Sequence, residues 1–99
     1  MSTLAIDIQL AKTKWAIVTD DTITVDLTDG RTVSVPIGWY LRLLYATLKE
    51  RNNWRLIGRG EGIHWPDLDE DISAENLIPG RASGESQRSF KRWLEKKEG

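Results

Sequence analysis

Residues 22–36 read TITVDLTDGRTVSVP, and this stretch decides the fold. Ile23, Val25 and Leu27 alternate with polar residues, which is the two-residue period of a strand with one buried face. The dipeptide Asp29-Gly30 is a strong hairpin signal, because both residues tolerate positive φ. Residues 31–35 then predict the returning strand. The stretch therefore predicts an antiparallel hairpin.

Two further strands are predicted upstream of this hairpin. Residues 4–10 (LAIDIQL) alternate apolar and polar side chains, and residues 15–19 (WAIVT) are rich in the residue types that favour strands. Asp20-Asp21 is a turn signal between residues 15–19 and the hairpin. The first third of the chain is thus predicted to be an antiparallel meander.

The apolar spacing becomes helical after Trp39. Leu41, Leu44 and Leu48 predict one main helix with Arg42 on its solvent face. Residues 47–50 (TLKE) have the form of a capping box, which predicts a break and restart near Thr47. Residues 54–58 (WRLIG) predict a short strand that returns to the sheet.

The predicted fold class is α+β, with a small antiparallel sheet packed on the main helix. A short helix is expected after Ser73, and an amphipathic C-terminal helix after Ser86, since serine favours N-cap positions. Residues 1–80 are predicted to form a single domain, because 99 residues rarely support two cores. Residues 81–99 are predicted to be a linker followed by a basic helix.

Composition excludes several classes of function. The chain has no cysteine, so disulfides, thiolate metal sites and cysteine nucleophiles are ruled out. No apolar run approaches the ~20 residues that span a bilayer, and the N-terminus lacks a signal-peptide pattern. We therefore expect a cytoplasmic protein without membrane contact. Residues 1–80 carry 8 basic and 12 acidic side chains, whereas residues 81–99 carry 6 basic and 3 acidic ones.

The segment 58–72 (GRGEGIHWPDLDEDI) contains the residues that most resemble a site. Its acidic residues open like a calcium loop, but the sixth position is Ile72 and the twelfth is Ile78, where glycine and glutamate are required. No Gly-Lys-Ser/Thr follows the glycines, so a P-loop is excluded. We predict no catalytic, metal or cofactor site. The candidate surface residues are Glu61, His64, Trp65, Asp67 and Asp69.

Alternatives remain open for each part of this segment. The glycines at 58, 60 and 62 could form an anion-binding nest, or allow a bulge or a close backbone approach. His64 could act as a general base or pack at a sheet edge with a hydrogen bond to backbone. The acidic residues form a solvated loop leading into the next helix, or a weak divalent-cation site.

The predicted C-terminal helix is the main candidate for binding. Phe90, Trp93 and Leu94 form an apolar stripe, and Arg88 and Arg92 are among the basic residues beside it. The stripe could dock on the chain's own acidic body, contact a partner protein or a second copy, or lie along nucleic acid. These five residues are the predicted partner-binding set.

Several strings together resemble the bacterial domain-of-unknown-function family 2442. They are residues 29–32 (DGRT), 39–43 (WYLRL), 50–54 (ERNNW), 60–72 (GEGIHWPDLDEDI), 84–87 (GESQ) and 90–94 (FKRWL), together with Pro36. The resemblance implies a small α+β domain with an antiparallel sheet. Many members have proline where this chain has Leu41 and Leu48, which implies a more continuous helix here.

The resemblance also implies a gene context. Some members are fused to a helix-turn-helix domain, and many lie beside a gene of another uncharacterised family, 4160, as in a toxin–antitoxin pair. We therefore expect a non-enzymatic interaction or regulatory protein, the antitoxin-like half of a two-gene module. Its expected partner is the neighbouring gene product or a second copy. The alternative is a nucleic-acid-binding accessory protein that acts through its basic tail.

Overall fold

A computed structural model of the chain describes residues 11–80 and 83–98. The strand predicted over residues 4–10 lies outside the described residues. Two three-stranded antiparallel sheets and four helices lie within them. The strands are β1 (Thr13–Val18), β2 (Thr22–Leu27), β3 (Thr32–Pro36), β4 (Arg55–Ile57), β5 (Gly62–Trp65) and β6 (Glu70–Ser73). The helices are α1 (Leu41–Leu44), α2 (Leu48–Asn52), α3 (Ala74–Leu77) and α4 (Gln87–Glu98).

The first sheet is the predicted meander, in the order β1-β2-β3. Gly30 has a φ of 93° at the hairpin turn, and Asp29 accepts a hydrogen bond from the backbone N–H of Arg31 at 3.0 Å. Strand pairing places Val25 opposite Val33 in β2 and β3. The α+β class and the antiparallel hairpin are confirmed.

The predicted main helix is divided into α1 and α2, so the implied continuity is wrong. The predicted capping box is present: Thr47 Oγ1 accepts from the Glu50 N–H at 3.1 Å, and Glu50 Oε1 accepts from the Thr47 N–H at 2.8 Å. These two bonds satisfy N–H groups that a continuous helix would bond internally, and they start a new helix at Leu48. A 3₁₀ turn, Ile37–Trp39, precedes α1.

The segment 55–57 does not return to the first sheet. It starts a second sheet of order β4-β5-β6, whose register pairs Leu56 with Ile63 and Ile63 with Ile72. Strand β5 and all of β6 except Ser73 lie within segment 58–72, whose acidic residues were predicted to form a solvated loop or a weak cation site. The expectation of one sheet is therefore corrected to two.

The core lies among both sheets and the helices. Trp65 and Ile23 have no exposed surface, and each belongs to the middle strand of its sheet. The core includes Val25, Leu27 and Val35 of the first sheet, Ile63 and Ile72 of the second, and Leu43 and Leu77 of the helices. The two sheets therefore share one hydrophobic core.

The C-terminal helix α4 packs on this body. Ser86 accepts a hydrogen bond from the Ser89 N–H at 3.0 Å, which confirms the predicted N-cap. Phe90 is only 6% exposed, and its ring centre lies 5.3 Å from that of Tyr45. Within residues 11–80 and 83–98, no helix combines the length and apolar character that crossing a bilayer requires.

Candidate functional site

The glycines of segment 58–72 allow a close approach between the two sheets. Gly60 has a φ of 99°, and a Cβ atom there would lie 2.6 Å from the Thr13 carbonyl oxygen. Thr13 is buried, and its backbone N–H donates to the Gly60 carbonyl at 2.7 Å. A Cβ on Gly62 would lie 2.6 Å from the carbonyl oxygen of Ile72 in β6. The predicted close backbone approach is confirmed.

The glycine turn also binds an anion, which is a carboxylate of the chain itself. Glu61 Oε2 accepts a hydrogen bond from the Arg59 N–H at 2.6 Å, and Lys12 Nζ lies 3.6 Å from Glu61 Oε1. Hydrogen bonds from the backbone N–H groups of Glu61 and Arg59 hold the pKa of this carboxyl below its ordinary value. The Glu61 carboxylate therefore takes the place that an external phosphate would take in an anion-binding nest.

His64 lies in the middle of the second sheet and hydrogen-bonds to a carboxylate. The register pairs His64 with Arg55 on one side and with Asp71 on the other. His64 Nδ1 is hydrogen-bonded to Asp71 Oδ1. The expectation that His64 bonds to backbone is corrected, because Asp71 is its cross-strand neighbour in β6. Asp71 is one of the acidic residues predicted to form a solvated loop or a weak cation site, and its pairing with His64 was not predicted.

The other candidate surface residues do not form one cluster with His64. Trp65 is wholly buried, and its Nε1–H donates to the Arg51 carbonyl at 3.0 Å. Asp67 accepts a hydrogen bond from the Asn53 side chain at 2.9 Å. The Asp69 side chain is exposed, and its backbone has a φ of 50°. The described side chains include no group of three or more His, Asp or Glu residues placed to hold a metal ion.

The Arg42 side chain contacts several separate segments of the chain, and its role was not predicted. Its guanidinium donates to Glu85 through Nε at 3.0 Å and Nη2 at 2.7 Å, and to the carbonyls of Leu68 and Asp69 through Nη1 at 3.2 and 3.0 Å. It also lies 5.0 Å from the ring centre of Trp93. Arg42 therefore joins α1, the β5–β6 turn and the C-terminal segment, and the expected solvent-facing position is wrong.

Glu70 lies beside this cluster at the start of β6. Its Oε1 accepts from the Asp71 N–H at 3.1 Å. Burial raises the pKa of Glu70 to about 7, although Arg42 opposes the shift, and Glu85 adds to it by repulsion. Burial likewise raises the pKa of Tyr40, and the negative charge of Glu70 contributes. A carboxyl group that changes charge near neutral pH thus lies next to the C-terminal segment.

The structure separates the predicted partner-binding residues into two groups. Phe90 is buried, its ring stacked on Trp93 at 5.9 Å, and Leu94 is half-buried. Arg88 and Arg92 point to solvent. Lys97 Nζ binds Glu50 Oε1 at 2.8 Å and lies 5.2 Å from the Trp93 ring centre. The apolar stripe docks on the chain's own body, which was one of the predicted alternatives.

An exposed apolar patch lies elsewhere, on β1. Trp15 and Ile17 are each 55% exposed, and they project from the face opposite the buried Ala16 and Val18. Trp54 packs edge-on against Trp15 with ring centres 5.1 Å apart. Sequence reasoning identified the strand but not this patch. The available signal was that both faces of residues 15–18 are apolar, although one face lies in solvent.

The family profile described as "Protein of unknown function (DUF2442)" matches residues 16–83. The chain belongs to this family. The matched range contains both sheets from Ala16 onward, Arg42 and the whole glycine-rich segment. Helix α4 lies beyond the end of the match, so the resemblance of residues 84–94 is not part of it. The family description carries no function.

Two solved structures are similar to this DUF2442 chain. A protein of unknown function from Rhodospirillum rubrum is 25% identical, with a TM-score of 0.64 over 78% of this chain and 95% of the other. An uncharacterized protein from Chromobacterium violaceum is 16% identical, with a TM-score of 0.66 over 92% of this chain and 84% of the other. At 16% identity, the similarity to the Chromobacterium violaceum protein is evidence for a shared fold and not for a shared function. No curated protein matches the chain.

Proposed function

We propose that this DUF2442 chain is a non-enzymatic protein-interaction module, the antitoxin-like or regulatory half of a two-gene pair. The observation that carries the proposal is the β1 patch, defined as Trp15, Ile17 and Trp54. Tryptophan is enriched among residues that dominate binding energy in protein interfaces. Exposed apolar side chains that adjoin one another on a surface often mark an interface, whereas isolated ones need no explanation.

The arrangement of the patch favours contact with a folded protein. Trp15 and Ile17 are on one strand, so the sheet fixes their spacing, and the edge-on contact with Trp54 restrains the Trp15 ring. A restrained aromatic side chain loses little conformational entropy on binding. The patch therefore offers a preformed apolar contact to a complementary apolar surface on the partner.

The placement of the acid–base residues supports a non-catalytic role. His64 and Asp71 form a pair on a sheet surface, while Glu61 is bound within its own turn and Asp67 is bound to Asn53. General acid–base catalysis requires such groups to converge on one substrate position. In this chain each acid–base side chain is bound to a different neighbouring group, so the side chains do not converge on one position.

Co-purification with the product of the neighbouring gene tests the proposal. Trp15→Ser and Ile17→Ser should each reduce partner recovery at least about tenfold, because each removes a contact of hot-spot size. Leu48→Ser is the matched control, since Leu48 is an exposed large apolar residue outside the patch at 68% exposure. Equal recovery with all three variants would exclude the patch as the binding surface.

A second candidate function is nucleic-acid binding through the outer face of α4. Arg88, Lys91, Arg92 and Lys96 recur at helical spacing, and all four are exposed. Across the part of the chain that the structure describes, none of them forms an ion pair; Lys97 is the basic residue of α4 that does. The face is therefore available to phosphate groups.

Salt dependence separates this candidate from protein contact. If four cations each displace a counterion, binding to duplex DNA should weaken with a slope of about −3.6 in log K against log salt. Replacing Lys91 and Arg92 by glutamine should reduce that slope by about half. Filter binding between low and moderate salt measures the slope for the unsubstituted and the substituted chain. If the amount of DNA retained did not change with salt concentration, this candidate function would be excluded.

A further inference from the structure

Helix α4 packs on a part of the body that we call the α1–α2 face, defined as Arg42 of α1, Tyr45 after α1 and Glu50 of α2. Its two charged residues have opposite sign and bind opposite ends of the C-terminal segment. Arg42 Nη2 donates to Glu85 Oε2 at 2.7 Å, and Lys97 Nζ donates to Glu50 Oε1 at 2.8 Å. The side chains of these two ion pairs are only between 13% and 26% exposed. A helix in the reverse direction would bring like charges together at both ends, so the face selects one direction.

Apolar contact between the two ion pairs is limited. Among the α4 side chains that the structure describes, Phe90 alone is buried, and its ring centre lies 5.3 Å from that of Tyr45. Trp93 and Leu94 are half-buried, and Tyr45 is still 58% exposed with the helix docked. The chain's own helix therefore leaves part of the α1–α2 face uncovered, and a helix with a larger apolar surface would cover more of it.

Trp93 lies between the two charged contacts. Its ring centre is 5.0 Å from Arg42 Cζ and 5.2 Å from Lys97 Nζ, which is within the range of cation–π attraction. An aromatic side chain at this position therefore supports both ends of the docked helix at once.

The α1–α2 face and the helix on it differ in their relation to the family. The face lies within the part of the chain that the family profile matches, whereas α4 lies beyond the end of that match. The matched domain therefore includes the face but not the helix that covers it in this chain.

We propose that the α1–α2 face is a docking site for an amphipathic helix of a partner protein, and that α4 occupies this site in the free chain. The partner helix begins with an acidic residue, followed by aromatic residues five and eight positions later and by a lysine twelve positions later. This is the pattern of Glu85, Phe90, Trp93 and Lys97. Binding requires that the partner displace α4, so α4 lowers the apparent affinity for the partner. The face shares no residue with the β1 patch, so this inference can fail without the proposed function.

A designed peptide that carries only these four residues tests the proposal. It has Glu, Phe, Trp and Lys at the spacing of residues 85, 90, 93 and 97, with alanine and glutamine elsewhere. Amide chemical shifts of the α1–α2 face, followed by NMR on the full chain, measure binding. The peptide should bind the Phe90→Ser chain at least about tenfold more tightly than the unsubstituted chain, because the substituted α4 competes less for the face.

A second peptide, in which the glutamate and the lysine are exchanged, is the matched control because it has the same composition and net charge. It should bind the Phe90→Ser chain about tenfold more weakly than the first peptide, since its ends meet like charges at Arg42 and Glu50. Lys97→Glu loosens α4 in another way, because it places a second negative charge beside Glu50 and keeps Phe90. This chain should also bind the first peptide more tightly than the unsubstituted chain does.

Three results would overturn the proposal. They are equal affinity of the first peptide for the unsubstituted and both substituted chains, no binding to either substituted chain, and equal affinity of the two peptides for the Phe90→Ser chain. Light scattering on the unsubstituted chain, which we expect to be a monomer, tests the other occupant. A dimer that Phe90→Ser dissociates would assign the face to α4 of a second copy, and the partner helix would be excluded.

Discussion

The hydroxyl group of Thr13 donates a hydrogen bond to the carbonyl oxygen of Gly60 at 2.9 Å, across the junction between the two sheets. The Thr13 N–H bonds to the same oxygen, and the Thr13 side chain is buried. One residue of β1 thus fixes the turn between β4 and β5. The glycine-rich segment has a structural role at this junction, because a side chain at position 60 would occupy the space of the Thr13 backbone.

The first prediction concerns Gly60→Ala, which we expect to lower the free energy of unfolding by about 2–4 kcal/mol. Positive φ alone costs a residue with a Cβ about 1–2 kcal/mol, and the close approach to Thr13 adds strain. Gly30→Ala is the matched control, because Gly30 has a φ of 93° with no neighbouring atom in the way. Urea denaturation measures both variants, and equal losses would show that the contact with Thr13 contributes nothing.

The second prediction concerns Arg51, a buried arginine of α2. Its Nε and Nη2 donate to the carbonyls of Leu43 and Leu44 at 3.0 Å each, where α1 ends. Arg51→Met should cost about 2–4 kcal/mol of unfolding free energy, since the removed donors satisfy carbonyls at a helix terminus. The loss should appear as a lower urea midpoint.

Asp20→Asn is the control for the ion pair of Arg51. Asp20 accepts from Arg51 Nη1 at 2.7 Å, but its side chain is 91% exposed, and exposed ion pairs contribute under about 1 kcal/mol. If Asp20→Asn cost as much as Arg51→Met, the ion pair rather than the capping of α1 would explain the role of Arg51.

Local signals in the sequence predicted much of the fold. Asp29-Gly30, the capping box at Thr47 and the serine N-caps at 73 and 86 each act over three or four residues. Their hydrogen-bond partners are close in the chain, so they can be recognised from sequence alone. Leu41 and Leu48, which stand where many family members have proline, implied a continuous helix. The helix is nevertheless divided at Thr47, so the capping box had the larger effect.

The second sheet and the arginine contacts could not be predicted in this way. Glu70 and Asp71 are unfavourable strand residues, and β6 forms because Ile72 is buried opposite Ile63 of β5. Arg42 lies 43 positions before Glu85, and helical spacing alone places it on a solvent face. These features depend on which distant segments meet, and hydrophobic periodicity does not contain that information.

The third prediction is that stability falls as the pH rises through neutrality. The pKa of Glu70 is about 7 in the folded chain and near 4.5 in the unfolded chain, so the folded state binds the proton more tightly. Its contribution is fully present below pH 4.5 and is lost as the pH rises through 7. We expect a loss of about 1–2 kcal/mol between pH 5 and pH 8, after allowance for contact with solvent.

Urea denaturation at pH 5 and pH 8 measures this loss, and Glu70→Gln should remove most of it. Gln cannot ionise, so the substituted chain should be the more stable of the two at pH 8. Two results would contradict this prediction: an unsubstituted chain that is more stable at pH 8 than at pH 5, or a Glu70→Gln chain that loses as much unfolding free energy between these pH values as the unsubstituted chain. Either result would show that another group dominates the pH dependence.

The fourth prediction distinguishes the two roles of tryptophan in this chain. Trp65→Phe should lower the free energy of unfolding by about 1–3 kcal/mol, because it removes core volume and the Nε1–H bond to the Arg51 carbonyl at 3.0 Å. Trp15→Phe should change it by under about 0.5 kcal/mol, since more than half of the Trp15 side chain is exposed. Thermal unfolding followed by circular dichroism compares them. A large loss of stability in Trp15→Phe would mean that the β1 patch is required for folding, and the exposure of Trp15 would then be no argument for a partner.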